Sequence, residues 1–380
     1  MEGLYREEHH IFRDAFRRFV EREVAPHMER WEDEGVVSRD VWRAMGEAGF
    51  LCPWLSEEYG GSGADFLYSV IITEELAKAG AVSFMAPLHS DIVAPYIAAL
   101  GTEDQKRRWL PAAARGEVVL ALAMTEPNTG SDLAALRTRA VREGEAWVIN
   151  GQKTFISNGI LADLVVVACR TGTVESGAKG ISLIVVERGA PGFHRGRNLK
   201  KMGLHAQDTA ELIFEDCRVP AENLLGTLNR GFYHMMDHLQ QERLMACIMG
   251  QAMAEAMLDM TIEYARGRTA FGQPIASFQH NAFTIVDMAT EVKLGRTFLE
   301  RLIADHMAGK DIVTDVSMAK AWIGEMANRV AYRCVQLHGG YGYMEEYPIS
   351  RFYRDVRPIP IFAGTTEIMK LIVAKRMQLM

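Results

Sequence analysis

Leu164-Val165-Val166-Val167-Ala168 and Ile181-Ser182-Leu183-Ile184-Val185-Val186, with Ala146-Trp147-Val148-Ile149 ahead of them, decide the fold. The runs are short and rich in β-branched residues, and turn signals bound them at Asn150-Gly151, Ser157-Asn158-Gly159 and Pro191-Gly192. Few helical stretches intervene, which predicts an antiparallel β-barrel or sandwich over 121–229 and not βαβ units. Upstream, from Glu7 to about Leu120, the period becomes helical. Ile11, Ala15, Phe16, Phe19 and Val20 share one face, opposite Arg13, Arg17, Arg18 and Glu21. Glycine-rich breaks at 59–63 and at Gly101 divide these helices. Downstream, segments near 231–266, 277–308 and 312–338 are each long enough for a bundle helix, and a last helix is predicted from about Thr366 to Met377. The predicted class is α+β multidomain: a helical N-terminal domain (1–120), a central antiparallel β-barrel or sandwich (121–229) and a C-terminal four-helix bundle (230–380).

The 380 residues are 48% hydrophobic and 24% charged, enough to bury two or three cores. A net charge of −7 argues against nucleic acid as a partner but leaves room for a phosphorylated small molecule held by placed arginines. The five cysteines are scattered without a CxxC, so neither a disulfide framework nor a thiolate zinc site is indicated, and a reducing cytoplasm is expected. The first residues lack the features of a signal or transit peptide. No apolar run approaches the ~20 residues of a membrane span.

Several segments carry possible chemistry beside an ordinary structural reading. Thr125-Glu126-Pro127-Asn128-Thr129-Gly130-Ser131-Asp132 is a turn whose small residues let backbone N–H groups approach an anion or a heteroaromatic ring. Phe155 and Ser157, two residues apart, could offer a ring wall and a hydroxyl to a flat cofactor, or a core ring beside a turn serine. Arg266 and Arg268 follow a long helix, where they suit either the helix dipole or a phosphate. His234, His238 and Glu242 recur at helical spacing and raise a metal hydrolase. The third position drifts about 80° around the helix and no HExxH accompanies it, so no metal is assigned. Met245, Met249, Met253 and Met257 form a stripe that reads as core or subunit packing, or as an adaptable acyl wall. Gly339-Gly340 ends a helix, and Thr365 or Thr366 is expected to cap the last one.

Taken in order, these segments resemble the acyl-CoA dehydrogenase family over nearly the whole chain. Ala123-Met124-Thr125-Glu126-Pro127 with Gly130-Ser131-Asp132, Asn150-Gly151-Gln152-Lys153 before Phe155-Ile156-Ser157, and Arg268-Thr269-Ala270-Phe271-Gly272 with Gln279 match its motifs. Gln336-Leu337-His338-Gly339-Gly340 and Gly364-Thr365-Thr366-Glu367 complete the set. Lys201-Met202-Gly203-Leu204 and Gln241-Glu242-Arg243-Leu244 are most similar to the long-chain branch.

The resemblance implies FAD as cofactor, an acyl-CoA substrate, an electron-transfer flavoprotein as acceptor, a homotetramer and a role in fatty acid β-oxidation. It implies that Met124, Thr125, Gly130 and Ser131 line the flavin and diphosphate. Phe155 and Ile156 would lie against the ring, with Phe155 where many relatives have Trp, and Ser157 would bond near flavin N5. Arg268, Phe271, Gln279, Gln336, Gly339 and Gly340 would serve the FAD of a neighbouring subunit, while Thr365 and Glu367 would meet its adenosine end. Ser131, Lys179, Tyr233, Arg243, Ala363 and Gly364 are implied on the substrate side. Several branches carry the catalytic glutamate just before Gly-Thr, where this chain has Ala363, which cannot accept a proton. The resemblance to the long-chain and isovaleryl branches implies Glu242 as the α-proton base, with the β-hydride passing to flavin N5 to give trans-2-enoyl-CoA. An acyl-CoA oxidase or flavin monooxygenase on the same scaffold, or a non-catalytic flavoprotein, stands as the alternative. Small Ala363 and unbranched Met236 and Leu239 suit a roomy pocket, whereas Gln240 stands where the long-chain branch has proline.

Overall fold

A computed structural model describes residues 4–380. Six helices open the chain: α1 (Glu7–Phe19), α2 (Met28–Glu34), α3 (Arg39–Glu47), α4 (Phe66–Lys78), α5 (Ala94–Leu100) and α6 (Glu103–Ala114). On α1 the buried stripe is rotated from the expected one. Phe16, Phe19 and Val20 are buried while Ile11 is exposed, because the rings of Phe12, Phe16 and Phe19 all pack edge-on against Phe50. A six-residue π-helical stretch, Leu88–Val93, leads into α5.

The middle of the chain forms one sheet from β1 (Leu120–Ala123), β2 (Arg139–Glu143), β3 (Ala146–Ser157), β4 (Leu164–Arg170), β5 (Ile181–Glu187), β6 (Phe193–Asn198), β7 (Thr209–Pro220) and β8 (Leu224–Leu225). The strand order is β6-β7-β3-β2-β4-β5-β8, with β1 added on β4. Most ladders are antiparallel, as expected, but the sheet is mixed: β1 runs parallel to β4, and β2 meets β4 at one parallel pair. Parallel neighbours need a long crossover, and the β2–β3 hairpin lies within the one from β1 to β4. All seven residues of β4 are buried. Leu164, Val166 and Ala168 face a core shared with Tyr96, Ile97 and Trp109 of the helices, while Val165, Val167 and Cys169 face Trp147 and Ile149 within the sheet. The uninterrupted apolar run thus reflects burial on both faces.

Beyond the sheet come α7 (Gly231–Gly267), a small hairpin of β9 (Thr269–Ala270) and β10 (Gln273–Pro274), α8 (Gln279–Met307), α9 (Val313–His338), α10 (Pro348–Val356) and α11 (Thr366–Arg376). Met245, Met249, Met253 and Met257 lie in the bundle core with Ile323, Met326 and Val330 of α9, so the methionine stripe is packing. Arg296 on α8 binds Glu74 of α4 at 2.6 Å and Glu255 of α7, and Arg13 of α1 binds Glu74 at 2.7 Å. This buried chain of charges fixes the N-terminal helices against the bundle. Among the described residues no helix is long and apolar enough to cross a membrane.

Candidate active site

The first half of α7 packs against α5, and this contact builds the site. Glu242 is only 7% exposed, and its Oε1 accepts a 2.7 Å hydrogen bond from the Tyr96 hydroxyl. Burial pushes the Glu242 carboxyl up to about 7, against the Tyr96 hydrogen bond and the Arg243 charge, which both favour the ionised form. Arg243 is itself buried, which lowers its pKa, and its Nε donates to the Ala363 carbonyl at 3.4 Å. Ala363 and Gly364 both have positive φ, 51° and 94°. Only glycine adopts such angles freely, so the turn is held by its surroundings. A second buried cation helps: Lys320 of α9 donates to the Gly364 carbonyl, and burial pulls its ammonium down to about 8. Two cations therefore anchor the carbonyls of the 363–364 turn beside a buried carboxylate of raised basicity.

His234 and His238 lie on the same face of α7 but hold no metal site: among the described residues no group of three His, Cys, Asp or Glu side chains could share an ion. His238 stacks on Tyr96 with ring centres 4.2 Å apart, and the Thr227 N–H points at His234 Nε2 at 3.4 Å. Met236 is half-buried and Leu239 buried. Gln240 accepts from the Ile312 N–H at 3.3 Å, and α7 runs through it without a break.

The segments from Met124 to Ser157 come together at the end of the sheet. Glu126 and Thr129 exchange backbone hydrogen bonds of 2.9 and 3.0 Å around a tight turn. The Glu126 carboxylate accepts from the N–H groups of Arg137 (2.7 Å) and Thr138 (2.8 Å) and from the Nζ of fully buried Lys153 (2.9 Å). Lys153 also donates to the Met124 carbonyl at 2.9 Å, and Thr154 N–H to the Thr125 carbonyl. The register shift between Lys153 and Ile156 then turns Phe155 out of β3: its φ is 58° and the side chain is 69% exposed, while Ile156 is buried and Ser157 half-buried. Met124 and Thr125 are half-buried, and Gly130 and Ser131 lie exposed, with no atom within 4 Å of where a Gly130 side chain would begin.

The remaining candidates form two further groups. Tyr264, Arg268, Ile275, His338, Gly339 and Gly340 line a cleft of about 470 Å³. Arg268 stands over the Tyr341 ring at 5.7 Å. Gln279 opens α8 and Gln336 lies in the last turn of α9. Phe271, at the tip of the β9–β10 hairpin, is 96% exposed. At 1.5 Å per residue, Arg268 is about 39 Å along the α7 axis from Glu242, so one chain does not bring this group to the carboxylate. Thr365 is the cap of α11, its hydroxyl accepting from the Ile368 N–H, and Glu367 sits exposed in the first turn. Lys179 is exposed on the 174–180 turn, and Tyr233 is half-buried under the Arg230 guanidinium at 4.3 Å. Tyr96, Lys320 and the role of Lys153 escape a reading of the sequence. Only Lys153 leaves a trace, as a lysine inside an otherwise half-apolar strand.

Three family models match in order: "Acyl-CoA dehydrogenase, N-terminal domain" over residues 6–117, "middle domain" over 121–217 and "C-terminal domain" over 229–378. The long-chain specific mitochondrial acyl-CoA dehydrogenase of Mus musculus is 45% identical over 374 residues, 98% of this chain and 87% of that protein. Among solved structures, an acyl-CoA dehydrogenase from Geobacillus kaustophilus is similar with a TM-score of 0.97 and 57% identity, covering 99% of each chain. Butyryl-CoA dehydrogenase from Megasphaera elsdenii gives a TM-score of 0.94 at 32% identity, covering both chains fully (100%).

Proposed function

This chain belongs to the acyl-CoA dehydrogenase family, and from that premise we propose that it oxidises the α–β bond of an acyl-CoA thioester with Glu242 as the α-proton base. The family is FAD-dependent. The residues fit that cofactor on one observation: Phe155 is a large apolar ring held outward at positive φ beside the open backbone at Gly130, a costly arrangement without a flat partner. FAD, when bound, supplies the acceptor for the hydride that leaves the β-carbon.

The observation that carries the reading is the buried Glu242 carboxylate beside the anchored turn at 363–364. An ordinary carboxylate is far too weak to deprotonate a thioester. Burial strengthens it as a base, and an apolar surround lets backbone N–H groups of the turn stabilise the developing enolate oxygen. The α C–H bond breaks as an O–H bond forms on Glu242, and its electron pair becomes the α–β double bond of a trans-2-enoyl-CoA. Arg243 and Lys320 keep the turn in place by holding its carbonyls. Ser131, Lys179 and Tyr233 are assigned to the CoA side.

The separation along α7 supports a role for Arg268, Phe271, Gln279, Gln336, Gly339 and Gly340 at a neighbouring copy's FAD, and a homotetramer is the proposed assembly. The exposed Phe283, Val286 and Leu294 on α8 offer that copy an apolar face. All five cysteines are free and buried, in keeping with a cytoplasmic location. An electron-transfer flavoprotein is the proposed acceptor, and fatty acid β-oxidation the proposed setting.

Anaerobic titration of the purified protein with a panel of acyl-CoAs tests the activity. Bleaching of the flavin by at least one thioester is expected. Absence of bleaching across the panel overturns the reading, and reoxidation by air as fast as reduction replaces the dehydrogenase by an oxidase. The pH dependence is also specified. Glu242 must be ionised to take a proton, so kcat/KM rises with pH through an acid limb near the value of about 7 to which burial raises it. A limb left at the ordinary glutamate range, near ~4.3, contradicts the assignment.

A further inference from the structure

Tyr96 is fully buried on α5, and Glu242 is its hydrogen-bond partner across the interface with α7. The ring is fixed by its stack on His238, one helical turn before Glu242. His238 is held in turn, its Nδ1 and Nε2 lying 2.9 and 3.4 Å from the carbonyls of His234 and Pro95. The phenol therefore cannot turn away without breaking this packing.

We propose that Tyr96 is a positioning residue for Glu242: its hydroxyl fixes Oε1 and leaves Oε2 as the oxygen that receives the substrate proton. The proposal rests on the reading of Glu242 as the base. Among the described residues Oε1 has the Tyr96 hydroxyl as its hydrogen-bond partner and Oε2 has none. A glutamate side chain has three rotatable bonds. A neutral donor on one oxygen removes much of that freedom before the substrate arrives, which is the orientational part of catalysis. A phenol also suits the electrostatics. A cation in direct contact would lower the basicity strongly, whereas a neutral O–H stabilises the carboxylate moderately against the burial that disfavours it. The ionisable groups around the pair are Arg243, Asp237 and His238 on α7 and Tyr96 itself on α5.

A purely structural role, in which Glu242 only satisfies a buried hydroxyl, predicts lost stability and a shifted carboxyl titration on Tyr96→Phe, but an unchanged kcat on the pH plateau above the limb. Positioning predicts more. In the FAD-loaded protein, infrared difference titration should show a carboxyl band that Glu242→Gln lacks. In Tyr96→Phe its midpoint should rise by about one pH unit, the effect of one hydrogen bond to a charged group. The acid limb of kcat/KM should move with it, and kcat on the plateau above the limb, where Glu242 is ionised in both proteins, should fall about tenfold with KM little changed. Should Tyr96→Phe fold poorly, 3,5-difluorotyrosine at position 96 keeps the shape and donates more strongly, moving band and limb down. A plateau kcat unchanged in Tyr96→Phe, or a band and limb unmoved by either replacement, overturns the proposal. A Glu242→Gln variant that keeps full reductive rate overturns the base assignment instead, so the two failures are distinguishable.

Discussion

Glu242→Gln is expected to purify with FAD and bind acyl-CoA, yet to bleach at least about 10³-fold more slowly than the parent protein, within the range of a lost general base. The substitution is close to isosteric, and its amide oxygen can still accept from the Tyr96 hydroxyl, so the α5–α7 contact is preserved. What disappears is the only function the amide cannot imitate, the uptake of a proton. The effect on stability runs the other way. Burial raises the folded-state carboxyl above its ordinary value, so the ionised form costs folding energy at pH values above that ordinary range, most fully above about 7. Gln carries no such cost, and thermal unfolding at pH 8 should occur at or above the parent temperature. Anaerobic stopped-flow reduction and a melting curve check both halves. A variant that bleached at the parent rate would remove Glu242 from the mechanism, and one that lost its FAD would show that the residue matters for assembly.

The legibility of this site in the sequence depended on the distance over which each contact acts. The β4 run was readable because burial on both faces leaves a local composition, and the bundle helices because α7, α8 and α9 keep their period over many turns. Glu242 was not readable locally: Glu-Arg on a helix is ordinary, and only the order of motifs along the chain singled it out. Tyr96 left no signal at all, since its partner lies 146 residues away and Ala94-Pro95-Tyr96-Ile97 reads like any helix start. The helical series of His234, His238 and Glu242 was a true feature of one face, on which His238 and Glu242 meet Tyr96 of α5. The Arg268 and Gly339 group was recognised as a set. Its distance from Glu242 along α7 is the reason its proposed role lies with a neighbouring copy.

Lys153→Met tests the other half of the site, the loop that would hold the cofactor. Lys153 is completely buried, and its ammonium joins the Glu126 carboxylate to the Met124 carbonyl. Methionine has a similar length, so little cavity is created. The damage comes from Glu126, left charged and buried with only the Arg137 and Thr138 N–H groups as donors. Breaking a buried pair from one side costs about 3–5 kcal/mol. The variant should therefore unfold at markedly lower denaturant concentration and purify with less FAD, because the Glu126–Thr129 turn loses its brace. Adding Glu126→Gln should restore part of the stability, since no unpaired charge remains. The pH dependence separates this cause from simple misfit. In the parent, burial pushes Glu126 up, but Lys153 and the backbone donors outweigh it and hold the carboxyl below its usual range. That contribution to stability is present above about 4.5 and lost as pH falls through the folded-state value. In Lys153→Met burial prevails, the carboxyl titrates higher, and protonation relieves the buried charge. The stability gap between parent and variant should thus narrow from pH 7 to pH 5. A gap constant across that range would mean that packing, not charge, is what Lys153 contributes, and unchanged FAD content would separate the pair from the cofactor loop altogether.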